Sequence, residues 1–163
     1  MTREREAKLP ASTERVREAS RALGLDIAIL EMPQSTRTAE DAAAACGCTT
    51  AQIVKSLVFR GATSGKPLLA LVSGANRLNE KSVGAALGEV LKRPDAAYVR
   101  EVTGFSIGGV PPFGHASPMT VIMDEDLMRF DIVWAAAGTP RAVFSVTPGA
   151  LAEALSARVM KAT

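Results

Sequence analysis

From Ser12 onward, apolar side chains recur at three- and four-residue spacing, at Val16, Ala19, Ala22 and Leu23, and Gly24 follows where helices commonly stop. The spacing predicts an amphipathic helix. Residues 27–32, IAILEM, form a short branched run between Asp26 and Pro33 and read as a strand. Thr38 and Asp41 stand at capping-box spacing ahead of an alanine run that ends at Gly47, which predicts a second helix. Thr49 and Gln52 repeat that spacing, so a helical turn at 50–54 hands over to a strand at about 55–60. After the turn GATSGKP a second apolar strand, 68–73, completes a hairpin, and Asn79 caps a helix over 80–87 that ends at Gly88. Further along, EVLKR at 89–93 reads as a short strand and 95–104 as a helix, while the adjacent prolines of VPPFG at 110–114 force a loop. Strands are expected at 120–124, 131–137 and 142–146, and Thr147 with Pro148 opens a last helix reaching about Leu155.

Helices and strands alternate irregularly, with hairpin-length links between some strands. The pattern predicts a mixed α/β domain of α+β type, with one central mixed β-sheet flanked by helices, rather than a doubly wound parallel sheet. Residues 1–11 mix charge with a proline, show no period and read as a flexible arm, leaving 12–163 as one domain. The length of 163 residues and a hydrophobic fraction of 47% fit a single core and exclude a disordered chain. No apolar run is long enough to cross a bilayer and the first ten residues are charged, so a cytoplasmic location is expected.

The net charge of +2 is unremarkable, but its distribution is not. Residues 60–100 hold seven basic side chains (Arg60, Lys66, Arg77, Lys81, Lys92, Arg93 and Arg100) against three acidic ones (Glu80, Glu89 and Asp95), a local excess of +4. Such a face can steer a polyanion through its phosphates without reading sequence, although a merely solvated surface has the same composition. No helix concentrates the charge and no helix-turn-helix stands out, so DNA is not an expected partner.

Familiar catalytic signatures are missing: there is no GxSxG, Walker loop, HExxH or GxGxxG. Cys46 and Cys48 flank Gly47 far from His115, the only histidine, which excludes a disulfide framework and a four-ligand zinc site. Three segments nevertheless ask for an explanation. In IVKSLVF, Lys55 interrupts an apolar run, and an ammonium there must either snorkel to the surface or meet an anion or carbonyl in a polar pocket. SGANR at 73–77 sets Ser73, Asn76 and Arg77 at a strand end, where α/β sites commonly lie. TGFSIGGVPPFGH at 103–115 combines Gly108 and Gly109, which allow close backbone approach and can offer N–H donors, with Val110, Pro111 and a second proline that stiffen the loop. His115 closes that loop as a structural or site-lining residue.

These segments, with LVSGANRL and AAGTPRAVF in the same order, resemble the YbaK/EbsC family, also described as prolyl-tRNA-synthetase-associated or ProX-like domains, over about residues 12–160. GGVPPFGH is the most specific part of the resemblance. It implies a mixed α/β editing fold and a hydrolase that deacylates mischarged aminoacyl-tRNA, in trans or as a domain inserted in prolyl-tRNA synthetase. Lys55 matches the lysine that holds the aminoacyl-adenosine end, and Gly108 and Gly109 match the loop that positions the scissile carbonyl. Ser73, Asn76, Arg77, Val110, Pro111 and His115 fall in the matching substrate-binding segments. The resemblance implies water attack assisted by the terminal ribose hydroxyl, with no metal or organic cofactor. The acceptor end of aminoacyl-tRNA and a synthetase are the implied partners, and a homodimer is left open.

Members specific for Cys-tRNA(Pro) carry a Ser-Gly-Gly run followed by an aspartate, whereas this chain has Ala137, Gly138, Thr139, Pro140 and then Phe144. That departure points toward the branches removing small or hydroxylated residues such as Ala, Ser or Thr. A non-catalytic aminoacyl-tRNA or nucleotide-binding regulator with the same pocket is the alternative.

Overall fold

The computed structural model describes residues 9–163. Of the predicted arm, residues 1–8 lie outside the described residues, and helix α1 (Ala11–Ala22) begins directly after Pro10. Strand β1 (Ala28–Glu31) leads to α2 (Ala39–Cys46), where Thr38 accepts a hydrogen bond from the Asp41 amide and Gly47 closes the helix in the left-handed conformation. A 3-10 turn at Thr50–Gln52 carries the Thr49/Gln52 capping box and delivers the chain into β2 (Val54–Gly61) and β3 (Pro67–Ser73). Asn79 and Asp95 then cap α3 (Glu80–Leu87) and α4 (Ala96–Thr103), on either side of β4 (Leu91–Lys92). After the long loop come β5 (Thr120–Asp124), β6 (Val133–Ala136), β7 (Ala142–Val146), α5 (Pro148–Ala154) and β8 (Arg158–Met160).

The mixed sheet curls into two segments. Five strands lie in the order β4-β2-β3-β5-β8, antiparallel across β4-β2-β3 and parallel across β3-β5-β8, and three antiparallel strands lie in the order β1-β7-β6. A single parallel bridge between Ile53 and Trp134 joins the two at the start of β2. β3 is buried on both faces, as a central strand must be. Its Leu69 and Leu71 enter the main core with Val16, Phe105, Phe144 and Leu151, while Leu68, Ala70 and Val72 pack with Val83 of α3 on the other side. A third, smaller cluster sets Ala42 and Ala43 of α2 on Ile53, with Trp134 against it. Two elements carry no sequence prediction, β8 and a 3-10 turn at Glu125–Arg129.

Candidate active site

Between α2, the outer edge of β2, β6 and the loop after α4 lies a cleft of about 660 Å³. β2 supplies Lys55, opposite Val72 in the hairpin and on the same sheet face as Leu57 and Phe59, which pack toward α3. Near the strand's start this lysine is half-buried, and its Nζ donates to the main-chain carbonyl of Asn76. Burial pushes the Lys55 pKa down, and the Glu40 and Asp124 carboxylates oppose that shift. The ammonium thus meets a carbonyl, one of the two options its place in an apolar run allowed.

The carbonyl is held in place by a buried acid. Asp124, 1% exposed at the end of β5, accepts from the Ser73 amide at 3.1 Å and the Asn76 side-chain amide at 2.9 Å through Oδ2, and from the Asp126 amide at 3.0 Å through Oδ1. The Asn76 amide also reaches Asp126 at 2.7 Å, and the Ser73 hydroxyl donates to the Ala51 carbonyl at 2.7 Å. Ser73 and Asn76 therefore do not line the cleft; they fix the strand-end segment that presents the Asn76 carbonyl to Lys55, while Arg77 does line it and is exposed.

On the facing side, Gly108 and Val110 line the cleft. Gly108 has φ +95°, a conformation that requires glycine, and the exposed Arg37 side chain lies over it, its Nε 2.8 Å from where a Cβ would stand. At Gly109 the restriction is steric alone: a Cβ would come within 3.0 Å of main-chain atoms of Gly138 and Thr139. The Gly138 amide donates to the Gly109 carbonyl at 3.1 Å, so the stretch that departs from the Ser-Gly-Gly pattern is the surface on which the glycine loop rests. Pro111 is buried away from the cleft lining, and its carbonyl accepts from His115 Nε2 at 2.7 Å. His115 meets the edge of Phe105 at a centroid distance of 6.4 Å, and burial lowers its pKa against the opposing Pro111 hydrogen bond. It braces the loop from behind and does not line the cleft.

Four contributors went unread in the sequence. Arg37 stands over Gly108, Trp134 and Ser56 line the cleft walls, and Asp124 organises Ser73 and Asn76. Only Asp124 left a trace, as an acid ending the apolar strand TVIMD. Among the described residues no histidine or cysteine lines the cleft, and the one lining carboxylate, Glu80, is paired with Arg93 at 2.6 Å. Cys46 and Cys48 are free thiols, and burial, with Cys48 adding to it, pushes the Cys46 pKa up to about 11. The lining sets Lys55, Arg37 and Arg77 among mostly apolar side chains, a charge distribution suited to an anionic group, and among the described residues pairs no histidine or cysteine nucleophile with a base.

Residues 33–154 match the family model described as the aminoacyl-tRNA editing domain. Uncharacterized protein YwhH of Bacillus subtilis is 34% identical over 125 residues, covering 77% of this chain and 79% of that one. The proline–tRNA ligase of Limosilactobacillus fermentum is 31% identical over 94 residues, 55% of this chain but only 16% of the ligase. Among solved structures, one described as a candidate trans-editing enzyme for prolyl tRNA synthetase superposes with a TM-score of 0.89 at 46% identity, covering 94% of this chain and 98% of that chain. Hypothetical protein APE2540 gives a TM-score of 0.84 at 31% identity, over 90% and 97% of the two chains. With the family model spanning the lysine strand, the strand-end segment and the glycine loop, the chain belongs to the aminoacyl-tRNA editing domain family.

Proposed function

We propose that this chain is a trans-acting hydrolase that clears mischarged aminoacyl-tRNA by cleaving the ester between amino acid and terminal ribose. The observation that carries the reading is one cleft lined by both the half-buried Lys55 and the Gly108–Val110 loop, with no histidine or cysteine in its walls. In this reading water is the nucleophile. Its oxygen attacks the ester carbonyl carbon, the carbonyl carbon–ribose oxygen bond breaks, and the water's proton passes to the departing ribose oxygen with help from the neighbouring ribose hydroxyl. The products are the free amino acid and the uncharged tRNA.

In this scheme Lys55, held by the Asn76 carbonyl, draws in the negatively charged acceptor end, and the 108–110 loop places the carbonyl against its amides. Arg37, Arg77 and the Glu80-paired Arg93 at the cleft, with Arg60 of the same basic stretch, receive the phosphates of the acceptor stem. Ala137–Pro140, beneath Gly109, in place of a Ser-Gly-Gly run, supports Ala, Ser or Thr as the amino acid rather than Cys. Discrimination of such small groups by a single pocket is limited to about 1–3 kcal/mol per methylene, which is why a separate editing step is useful. A place in the cytoplasm beside prolyl-tRNA synthetase fits this role, and no helix among the described residues is long and apolar enough to cross a membrane.

A deacylation time course on tRNAs charged with Ala, Ser, Thr or Cys tests the proposal. Fast release from one or two of them supports it and names the substrate. Tight binding with protection of every ester would instead favour the regulatory binding module.

A further inference from the structure

Helix α1 stands outside the cleft, yet it meets both ends of the glycine loop and the turn beneath its middle. Ser12, Arg15 and Ala19 are three and four residues apart, so they share one face of the helix. Each lies against a different glycine: a Cβ on Gly138 would stand 2.8 Å from the Ser12 carbonyl oxygen, one on Gly114 would stand 3.2 Å from the Ala19 Cβ, and one on Gly104 would meet the Arg15 guanidinium. At Gly138 and Gly114 the near atoms are main chain and a Cβ of α1, so helix and loop stand at close approach.

Gly104 and Gly114 open and close the loop, whose base is tied by the Ala116 amide donating to the Thr103 carbonyl at 3.1 Å and the Ser117 amide donating to the Val102 carbonyl at 2.9 Å. Its middle, at Gly109, rests on Gly138. Arg15 holds the opening end in two ways. Its Nη1 donates to the Gly104 carbonyl at 3.2 Å, at the C-terminal end of α4 where a cation is favoured, and its guanidinium carbon stands 4.6 Å from the centre of the Phe105 ring. Phe105, 2% exposed, meets His115 edge-on, and His115 holds the Pro111 carbonyl. A chain of contacts therefore runs from α1 to Pro111, two residues past Gly109, and Arg15 is its exposed end.

We infer that Arg15 is a positioning residue for the reaction: by clamping Gly104 and Phe105 to α1 it sets where Gly108 and Gly109 stand against the scissile carbonyl, without itself meeting the ligand; this rests on the function proposed above. A displacement of about 1 Å at a reacting centre costs about 100-fold in rate, so a partial loosening of the loop is enough to show in kcat. A second role for an exposed arginine is to hold RNA phosphate. The geometry favours the first, because Arg15 stands outside the cleft and its guanidinium is already engaged by a carbonyl and a ring.

The test compares the full wild-type chain with Arg15→Met, with Arg15→Lys and, as a control of equal charge loss, with Arg21→Met, an exposed residue in the last turn of α1. In steady-state deacylation Arg15→Met is expected to lower kcat about 10- to 100-fold with KM unchanged. Its urea midpoint is expected to stay at the wild-type value, since the side chain is exposed. Arg15→Lys keeps a cation over the ring and a donor for the Gly104 carbonyl, so it should recover most of the loss, and Arg21→Met should match wild type. In nitrogen-15 spectra the Gly108 and Gly109 amides, whose close neighbours are Arg37 and the Gly138–Thr139 main chain, should move in Arg15→Met and stay in place in Arg21→Met. Wild-type kcat in Arg15→Met, a loss confined to KM, or a loss that tracks a lowered urea midpoint overturns the inference. Should wild type cleave no ester, the hydrolase reading fails, and the two glycine amides then decide alone: moved by Arg15→Met they uphold the positioning role, unmoved they overturn it.

Discussion

Replacing Asp124 by Ala is expected to loosen the strand-end segment and with it the hold on Lys55. The carboxylate is 1% exposed and accepts three hydrogen bonds, from the Ser73 amide, the Asn76 side chain and the Asp126 amide. Alanine removes all three acceptors and leaves the Ser73 N–H, itself on a buried residue, with no partner. Hydrogen bonds to a charged group contribute about 1.5–3 kcal/mol each, and part of that is recovered where Asn76 and Asp126 can turn to water, so the expected loss is about 3–5 kcal/mol. For a chain of this size that corresponds to a fall in Tm of about 6–20 °C. Asp124→Asn, keeping one acceptor oxygen, should lose less. Urea unfolding followed by the fluorescence of Trp134, the single tryptophan, gives the stability. An Asp124→Ala protein within about 0.5 kcal/mol of wild type would refute the reasoning, because an exposed substitution of no structural consequence behaves that way.

Further outcomes follow from the same geometry. Gly109→Ala pushes a methyl to within 3.0 Å of the Gly138–Thr139 main chain and should cost about 1–3 kcal/mol, with deacylation falling about 100-fold as the loop shifts; Gly149→Ala, with nothing within 4 Å of its added Cβ and a helical setting, should stabilise by about 0.4–1 kcal/mol and leave activity alone. His115 has a folded pKa below its ordinary 6.5, so the unfolded chain binds the extra proton first and stability declines as pH drops below 6.5 toward the lowered folded value. His115→Gln should flatten that part of a stability-versus-pH curve, and an unchanged slope would contradict the buried-neutral assignment. Cys46, with its pKa raised to about 11, should react with iodoacetamide near neutral pH about 100-fold more slowly than an exposed thiol, as mass spectrometry of timed samples would show.

What the sequence made legible was local. Thr38 and Asn79 cap their helices through side-chain acceptors three residues from their donors, and Gly47 and Gly88 close them in the left-handed conformation, so local signals suffice to place these ends. Pairing across the chain was not legible in the same way. β8 is a three-residue strand that exists because β5 offers it a parallel edge, and nothing in Arg158–Met160 announces that partner. The single expected sheet curls into two for the same reason, since the Ile53–Trp134 bridge joins residues 81 positions apart.

The site divides along the same line. Lys55 stood out because an ammonium in an apolar run needs a local explanation, and Gly108 and Gly109 because their neighbours are prolines. Asp124 escaped notice because its partners Ser73 and Asn76 lie 51 and 48 residues away. His115 shares a loop with the glycines, yet composition cannot tell which side of a loop a ring faces, and here it faces Phe105. Ser73 and Asn76 were singled out by their strand-end position, but that position does not separate a group that meets ligand from one that braces its neighbour.

The central claim is that Lys55, held by the Asn76 carbonyl beside the glycine loop, makes this cleft a site of ester hydrolysis. Single-turnover deacylation of the best substrate by wild type and by Lys55→Ala, each shown folded by its urea midpoint, tests it most directly. A loss of about 100- to 1,000-fold in rate, with the fold intact, is the predicted result. A folded Lys55→Ala protein that cleaves at the wild-type rate would contradict it.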